Sequence, residues 1–278
     1  MTTTRFLPFW KKAGITLVVV LGALFFVLPL WWAIVWATWH TSEIFAFPPK
    51  LLPGPYLLDN LTRLEARLGI GRAFYNSVLT TSVSLVGALF FCSLAGFAFA
   101  KYNFALKNVF FYLLLATMAV PGQITSIPLF AMMVRIGWID SYQGIIIPGL
   151  VPAFGVFMMR MGAEQAVSDE ILEAARMDGA NELRVFFQVA LPAMMPQVAA
   201  LAIFRFSGTW GSFFWPLIVL RSTRMFTLPV ALSSIFGAYE SPYDLLFAGS
   251  LLAIIPPIAL FFATQRFFLK SLIAGAFK

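Results

Sequence analysis

The stretch EAARMDGANELRVFFQVALPAMMP, residues 173–196, sets Glu173, Ala174, Ala175, Asp178, Gly179 and Ala180 close together in an otherwise apolar chain. Glu164, Asp169, Glu170, Glu173, Asp178 and Glu182, half of the twelve acids, fall in this one region. Carboxylates do acid–base work when paired with a nucleophile, a base or a metal, and partners for that are scarce. His40 is the sole histidine and Cys92 the sole cysteine, so multi-histidine zinc sites, thiolate metal sites and disulfides are excluded. A Ser/His or Cys/His pair would have to be built on His40, which follows Trp39 at the end of an apolar run and reads as an interfacial residue. No H-E-x-x-H, G-x-S-x-G or G-x-x-x-x-G-K-[ST] motif is present. What remains is recognition: small residues admit another surface closely, and clustered acids favour a basic one.

The elements that must carry these residues can be read locally. Ser168 is a suitable N-cap, and Asp169 and Glu170 place negative charge in the first turn, where the helix dipole favours it. Ile171, Leu172, Ala174, Ala175 and Met177 continue a short helix, which Asp178-Gly179 ends through a left-handed glycine. Asn181 caps a second helix through Leu183, Val185, Phe186 and Val189, up to Pro192 and Pro196. A compact helix–turn–helix insert is expected, with acids and small residues at its tip.

Around that insert the chain is greasy. Of its 278 residues 60% are hydrophobic and 11% charged, against about 25% charged in soluble domains. Six apolar stretches are long enough to cross a bilayer, which takes about 20 residues of helix. They are residues 13–39, 73–100, 108–134, 142–159, 196–220 and 245–265. The third is interrupted by Pro121-Gly122 and Pro128, and the fourth by Pro148 and Pro152, so both are expected to kink. The first is too long for a signal-peptide core and ends in Trp31, Trp32, Trp36 and Trp39, an aromatic belt. Placing the N-terminus inside puts eleven lysines and arginines on the cytoplasmic side against seven outside, with Arg205 inside the fifth span and in neither count. Both termini are therefore expected in the cytoplasm. Cys92 reads as a small core residue.

The pattern E-A-A, D-G-A, aromatic, L-P, here Glu173, Ala174, Ala175, Asp178, Gly179, Ala180, Phe186, Leu191, Pro192 and Pro196, resembles the EAA loop of permease subunits of bacterial ATP-binding cassette (ABC) importers. VPGQITSIPLF (120–130), FSGTWGSFFWPLIVL (206–220), FTLPVAL (226–232) and QRFFLKSLIAGAFK (265–278) extend the likeness over most of the chain. Together they resemble the shorter, six-span permease of maltose-type carbohydrate importers. Gly211 stands where many relatives carry asparagine, and the usual final glycine of the tail is missing. The resemblance implies an all-α polytopic fold with six transmembrane helices and a cytoplasmic coupling helix between the fourth and fifth. It implies one permease domain over 1–278, with a cytoplasmic N-terminus at 1–12, a core permease region at 73–268, the coupling loop at 160–196 and an extracellular loop at 221–244. Glu173 would then pair with a basic ATPase residue, Ala174 and Ala175 would allow close docking, and Gly179 would make the turn. The implied partners are a second permease subunit in a heterodimer, a cytoplasmic ATPase dimer, an extracellular or periplasmic solute-binding protein and membrane lipid, with no role for nucleic acid. The segment 225–244 is the expected contact for the binding protein, and the tail through Gly275 and Lys278 a further contact with the ATPase. ATP and magnesium would sit on the ATPase subunits and no cofactor in this chain, which would be a transport subunit of a bacterial or archaeal cell membrane, not an enzyme.

The cargo path is read more coarsely. Asn76, Gln123, Ser126, Thr209 and Trp210 are polar or amphipathic residues within spans, able to line a sugar path or to bind helices together. Arg205 is the one charge within an apolar span, and its long stem suits snorkelling to the cytoplasmic end. So few basic residues favour a neutral sugar over glycerol-3-phosphate or another polyol derivative. A secondary transporter is the alternative of a different class, but no acid lies mid-span to couple protons. A membrane-embedded enzyme lacks a catalytic constellation.

Overall fold

A computed structural model describes residues 9–236 and 241–276, and every regular element among them is helical. Three helices are long and apolar enough to cross a membrane unbroken: Trp10–Ala37, Ile70–Lys101 and Tyr243–Gln265. Three bent pairs raise the number of spans to six. Lys107–Met118 and Gly122–Arg135 meet at 103°, Tyr142–Gly149 and Ala153–Ala166 at 43°, and Glu182–Ala193 and Met195–Trp210 at 79°. Prolines mark the breaks. Pro121 and Pro152 hold extended backbone immediately before Gly122–Arg135 and Ala153–Ala166, and Pro196 enters the first turn of Met195–Trp210.

The expected fifth span differs from the observed one. Residues 196–220 carry no charge apart from Arg205, but the helix stops at Trp210 and a separate short helix, Phe214–Val219, follows. Gly211 caps the first helix, and Gly211, Ser212 and Phe213 lie outside both helices, a break that hydropathy alone does not register.

The chain divides into two compact units. One takes its described residues from 1–68 and 234–253. It contains α1 (Phe9–Ala37), α2 (Leu57–Leu68) and the start of the last helix. Phe25 and Phe26 on α1 are three-quarters exposed, as suits a surface meant for lipid. The tryptophans at its far end tie down the following loop. The Trp31 and Trp39 indoles donate to the carbonyls of Leu51 (3.1 Å) and Leu52 (2.9 Å), and Trp36 meets Phe247 edge-on. His40 stacks on Tyr56 and lies 3.1 Å from the Arg63 guanidinium, which also binds the buried Asp244 carboxylate at 2.9 Å.

The other unit takes its described residues from 69–233 and 254–278. In chain order it contains α3 (Ile70–Lys101), α4 (Lys107–Met118), α5 (Gly122–Arg135), α6 (Tyr142–Ile146), α7 (Ala153–Ala166), α8 (Asp169–Met177), α9 (Glu182–Ala193), α10 (Met195–Trp210), α11 (Phe214–Val219) and α12 (Leu228–Ser233). Lipid tails are as apolar as leucine, so helices in a membrane associate through close packing of small residues and through hydrogen bonds. The pairing of α3 with α7 follows that rule. A Cβ placed on Gly96 would stand 2.6 Å from both the Arg160 backbone nitrogen and the Met159 Cβ, and one on Gly155 would stand 2.7 Å from the Cys92 sulfur. Cys92, Phe97, Val156 and Met159 are fully buried there, continuous with Leu172, Val185, Phe186 and Met194 of the insert.

Gly96→Leu should therefore separate α3 from α7. The expected loss is about 1–3 kcal/mol, the usual cost of overpacking, read as a lower unfolding midpoint of the detergent-purified protein. Gly22→Leu on α1, where a Cβ meets nothing within 4 Å, is the control and should leave the midpoint unchanged.

Candidate functional site

The charged insert folds as its caps dictate. The Ser168 hydroxyl accepts the Ile171 N–H at 3.4 Å, opening α8 with Asp169 and Glu170 in its first turn. At the other end Ala180 N–H reaches the Ala175 carbonyl and Gly179 N–H the Arg176 carbonyl, each at 3.0 Å. That pair of bonds is a Schellman closure, with Gly179 at φ +82° in the left-handed region that suits glycine. Asn181 then accepts the Arg184 N–H at 2.9 Å and starts α9.

Ion pairs fasten this helix–turn–helix to the end of α3. Lys101 holds Asp169 at 2.8 Å. Arg176 grips Glu182 with two prongs, at 3.0 and 3.2 Å, and the Tyr102 hydroxyl donates to the same carboxylate. Leu172, Val185 and Phe186 anchor the inner face, each at most 2% exposed. Asp169 and Glu182 thus serve the fold, and Glu164 pairs with Arg160. Glu173 and Asp178 stand outside these pairs on the exposed surface, with Ala174 and Gly179. Ala175 and Ala180 instead pack against the core, so of the two alanines expected to permit docking only Ala174 faces outward. Met177, 89% exposed, completes the outward tip. Sequence reading passed over it as a helix-continuing apolar residue; its place between Arg176 and Asp178, at the charged end of the helix, was the available signal.

A second feature lies among α3, α5, α6, α10 and α11, where a cavity of about 460 Å³ opens. Gln123, Ser126 and Thr209 line it, bringing together three of the five path residues read from the sequence. Asn76 and Trp210 do not. Asn76 is fully buried, donates to the carbonyls of Arg224 (3.0 Å) and Phe226 (2.9 Å), and accepts from the Tyr142 hydroxyl at 2.7 Å. It ties α3 to the segment before α12 and to α6. Trp210 is buried, stacked on Phe206 and edge-on to Phe74.

Thr80, Ser84, Thr227 and Arg205 join the lining and were not read as path residues. Asn76, Thr80 and Ser84 recur at four-residue spacing, a polar stripe along one helix face that was legible in advance. Arg205 corrects an expectation. It does not snorkel to an end of its span. It lines the cavity, its guanidinium 3.5 Å from where a Cβ on Gly149 would stand, beside the break in the α6–α7 span. Arginine within an inserted helix is costly, about 2.5–3.5 kcal/mol where it sits at the helix centre.

Comparison with known proteins accords with this geometry. Residues 92–273 match the family described as "Binding-protein-dependent transport system inner membrane component". The chain belongs to this family. The permease is 38% identical over 227 residues to the "Arabinooligosaccharides transport system permease protein AraQ" of Halalkalibacterium halodurans, covering 81% of each chain. It is 29% identical over 262 residues to the "sn-glycerol-3-phosphate transport system permease protein UgpE" of Yersinia enterocolitica, covering 91% of this chain and 93% of that one. In fold it resembles a chain of a bacterial ABC transporter involved in import of the acidic polysaccharide alginate, with a TM-score of 0.82 and 24% identity over 96% of this chain and all of the other. The α-helical, membrane-spanning permease fold and the transport role read from the sequence are those of this family.

Two outcomes follow from the geometry. Asn76→Ala strips partners from two carbonyls and a hydroxyl, and should cost about 1–3 kcal/mol, read as a lower thermal midpoint with the protein still inserted. The exposed Asp169 carboxyl is held below its ordinary range by the hydrogen bond and charge of Lys101. A depressed carboxylate stabilises above its unfolded pKa, about 4, and that contribution disappears as pH falls through the depressed value. Amide exchange in 169–177, corrected for intrinsic rate, should therefore rise on acidification below about pH 4. Asp169→Asn should show the raised exchange already at neutral pH and a smaller acid step, the remainder coming from the likewise depressed Glu182 and Glu170.

Proposed function

We propose that this permease is one of two membrane-spanning subunits of an ATP-driven importer for a sugar, an oligosaccharide or a related polyol derivative. The observation that carries the reading is the division of labour within the insert. One face is bonded and packed into the α3–α7 core, while Glu173, Ala174, Met177 and Asp178 stand outward with no internal task. A rigid element with a small, acidic, partly apolar tip suits docking into a cleft on another subunit. In this reading that subunit is an ATPase, which binds ATP and magnesium; the chain itself carries no phosphate loop. Both termini and the insert face the cytoplasm, in keeping with the lysine and arginine distribution. The opposite face receives a solute-binding protein at 225–244, a segment in which residues 237–240 lie outside the described residues. The side chains of the tail through Gly275 and Lys278, the further proposed ATPase contact, lie outside them as well.

Support for the cargo class comes from the relatives, permeases for arabinooligosaccharides and for sn-glycerol-3-phosphate, and from the lining itself. Gln123, Ser126, Thr209 and their neighbours offer short donors and acceptors beside Phe214 and Trp215, the mixture that suits a hydroxylated cargo.

Glu173→Lys reverses charge at the tip without touching the packed face. Membrane insertion should be unchanged, co-purification of the ATPase subunits should fall at least tenfold, and uptake should be abolished. Normal uptake by this variant would remove the docking reading.

A further inference from the structure

The cavity has a second property that the importer reading does not require. Arg205 is the only charged residue in its lining, and no carboxylate lines it among the described residues. The Arg205 Nε is buried and has no hydrogen-bond partner, and no ion pair to this guanidinium occurs among the described residues. Nor is the cation crowded out. Gly149 leaves room beside it, and a Cβ on the lining residues Gly122 or Gly208 would meet nothing within 4 Å. A second orphan shares the space: the Thr227 Oγ1 is buried without a partner and lines the same cavity. The volume, about 460 Å³, falls within the range of about 300–1,000 Å³ typical of small-molecule sites.

A neutral cargo leaves this arrangement incomplete. A half-buried guanidinium whose Nε is shut off from water and unpaired is incompletely compensated, and neutral hydroxyls compensate it less than an anion does. Its planar fork matches a carboxylate or phosphate through two parallel bonds. Thr209 and Ser126 spend their protons on the carbonyls of Arg205 (2.9 Å) and Gln123 (2.6 Å), so both hydroxyl oxygens remain acceptors for cargo hydroxyls. Thr80 and Ser84 lie on the same lining, one helical turn apart on α3.

We propose that the cavity is an anion-selecting cargo subsite, in which Arg205 receives a carboxylate or a phosphate monoester borne on a sugar or polyol while the surrounding hydroxyls and Gln123 take its neutral oxygens. This rests on the importer reading and sharpens it, replacing the neutral sugar that the scarcity of basic residues suggested. Recognition here is non-covalent, with Arg205 charged throughout.

Full-length permease in lipid nanodiscs, titrated with radiolabelled glucose, glucuronate and glucose 6-phosphate, tests the proposal. At least one anion should bind tenfold or more tightly than glucose, and that preference should shrink as salt is raised. Preference for glucuronate identifies a carboxylate cargo, and preference for glucose 6-phosphate a phosphate. Arg205→Met should abolish the preference and Arg205→Lys should keep part of it. The salt titration of the unaltered protein reads the same preference without any substitution, so a poorly folding Arg205→Met leaves the test intact. Equal binding of glucose and both anions, a salt-independent preference, or no binding of any of the three overturns the proposal. Acetate or inorganic phosphate competing as well as the sugar anions upholds the anion subsite and removes the carbohydrate reading, so the two fail separately.

Discussion

The approach of α3 to α7 at Gly96 is the constraint on which the second unit depends. In a bilayer no hydrophobic force drives helices together, so contact distance and hydrogen bonding decide which helices pair. Gly96 removes the side chain that would hold the Arg160 backbone away. Once the two backbones meet, Cys92, Phe97, Val156 and Met159 close into one core, and the insert continues that core through Leu172 and Phe186. The break in the span that α7 shares with α6 leaves Gly149 beside Arg205, and the cavity forms there. Cavity and insert therefore share one helix, α3 supplying Thr80 and Ser84 to the first and Lys101 to the second.

Buried polar groups in this unit fall into two kinds. Asn76 is fully satisfied: both its amide protons and its oxygen are used, and it joins three parts of the chain. Arg205 keeps an unpartnered Nε and a guanidinium that faces open volume. The first kind fixes structure, because losing any one partner strands the others. The second kind gains nothing for the isolated fold, and its retention is intelligible through a ligand.

How much of this was legible depended on range. The insert was readable in detail because its logic is local: Ser168, Gly179 and Asn181 each act on backbone within three or four residues of themselves, and all three do what their types dictate. The six apolar stretches were readable from composition, and Pro121 and Pro152 announced two of the bends. The fifth span was not bounded correctly, because Phe213 to Leu220 is as apolar as a span and only Gly211 and Ser212 signal the break. Sorting Asn76 from Gln123 lay beyond residue type. Both are amides inside apolar segments, and their difference is made by Arg224, Phe226 and Tyr142, more than sixty residues away. Arg205 is the same problem in reverse. Snorkelling is the default for an isolated helix, and it is overridden here because Gly149, on another span, leaves space beside the guanidinium.

These placements bear on how movement at the tip reaches the cargo path. The insert is not a flexible loop: α8 is closed by a Schellman turn, bonded by Arg176 to Glu182 and by Lys101 to Asp169, and packed through Leu172. A force applied at Glu173 or Met177 in the proposed importer thus moves α8 and α9 together. From α9 the chain enters α10 across a 79° bend whose hinge residue, Met194, is fully buried in the core. The bend converts sliding of α9 along its own axis into lateral displacement of α10, and α10 carries Arg205 and Thr209. Two packed arrangements of that core, not a continuous deformation, are what such a lever switches between. In the proposed importer, an anion-binding Arg205 on the helix that the insert drives would let one movement both open the path and withdraw the guanidinium from its ligand.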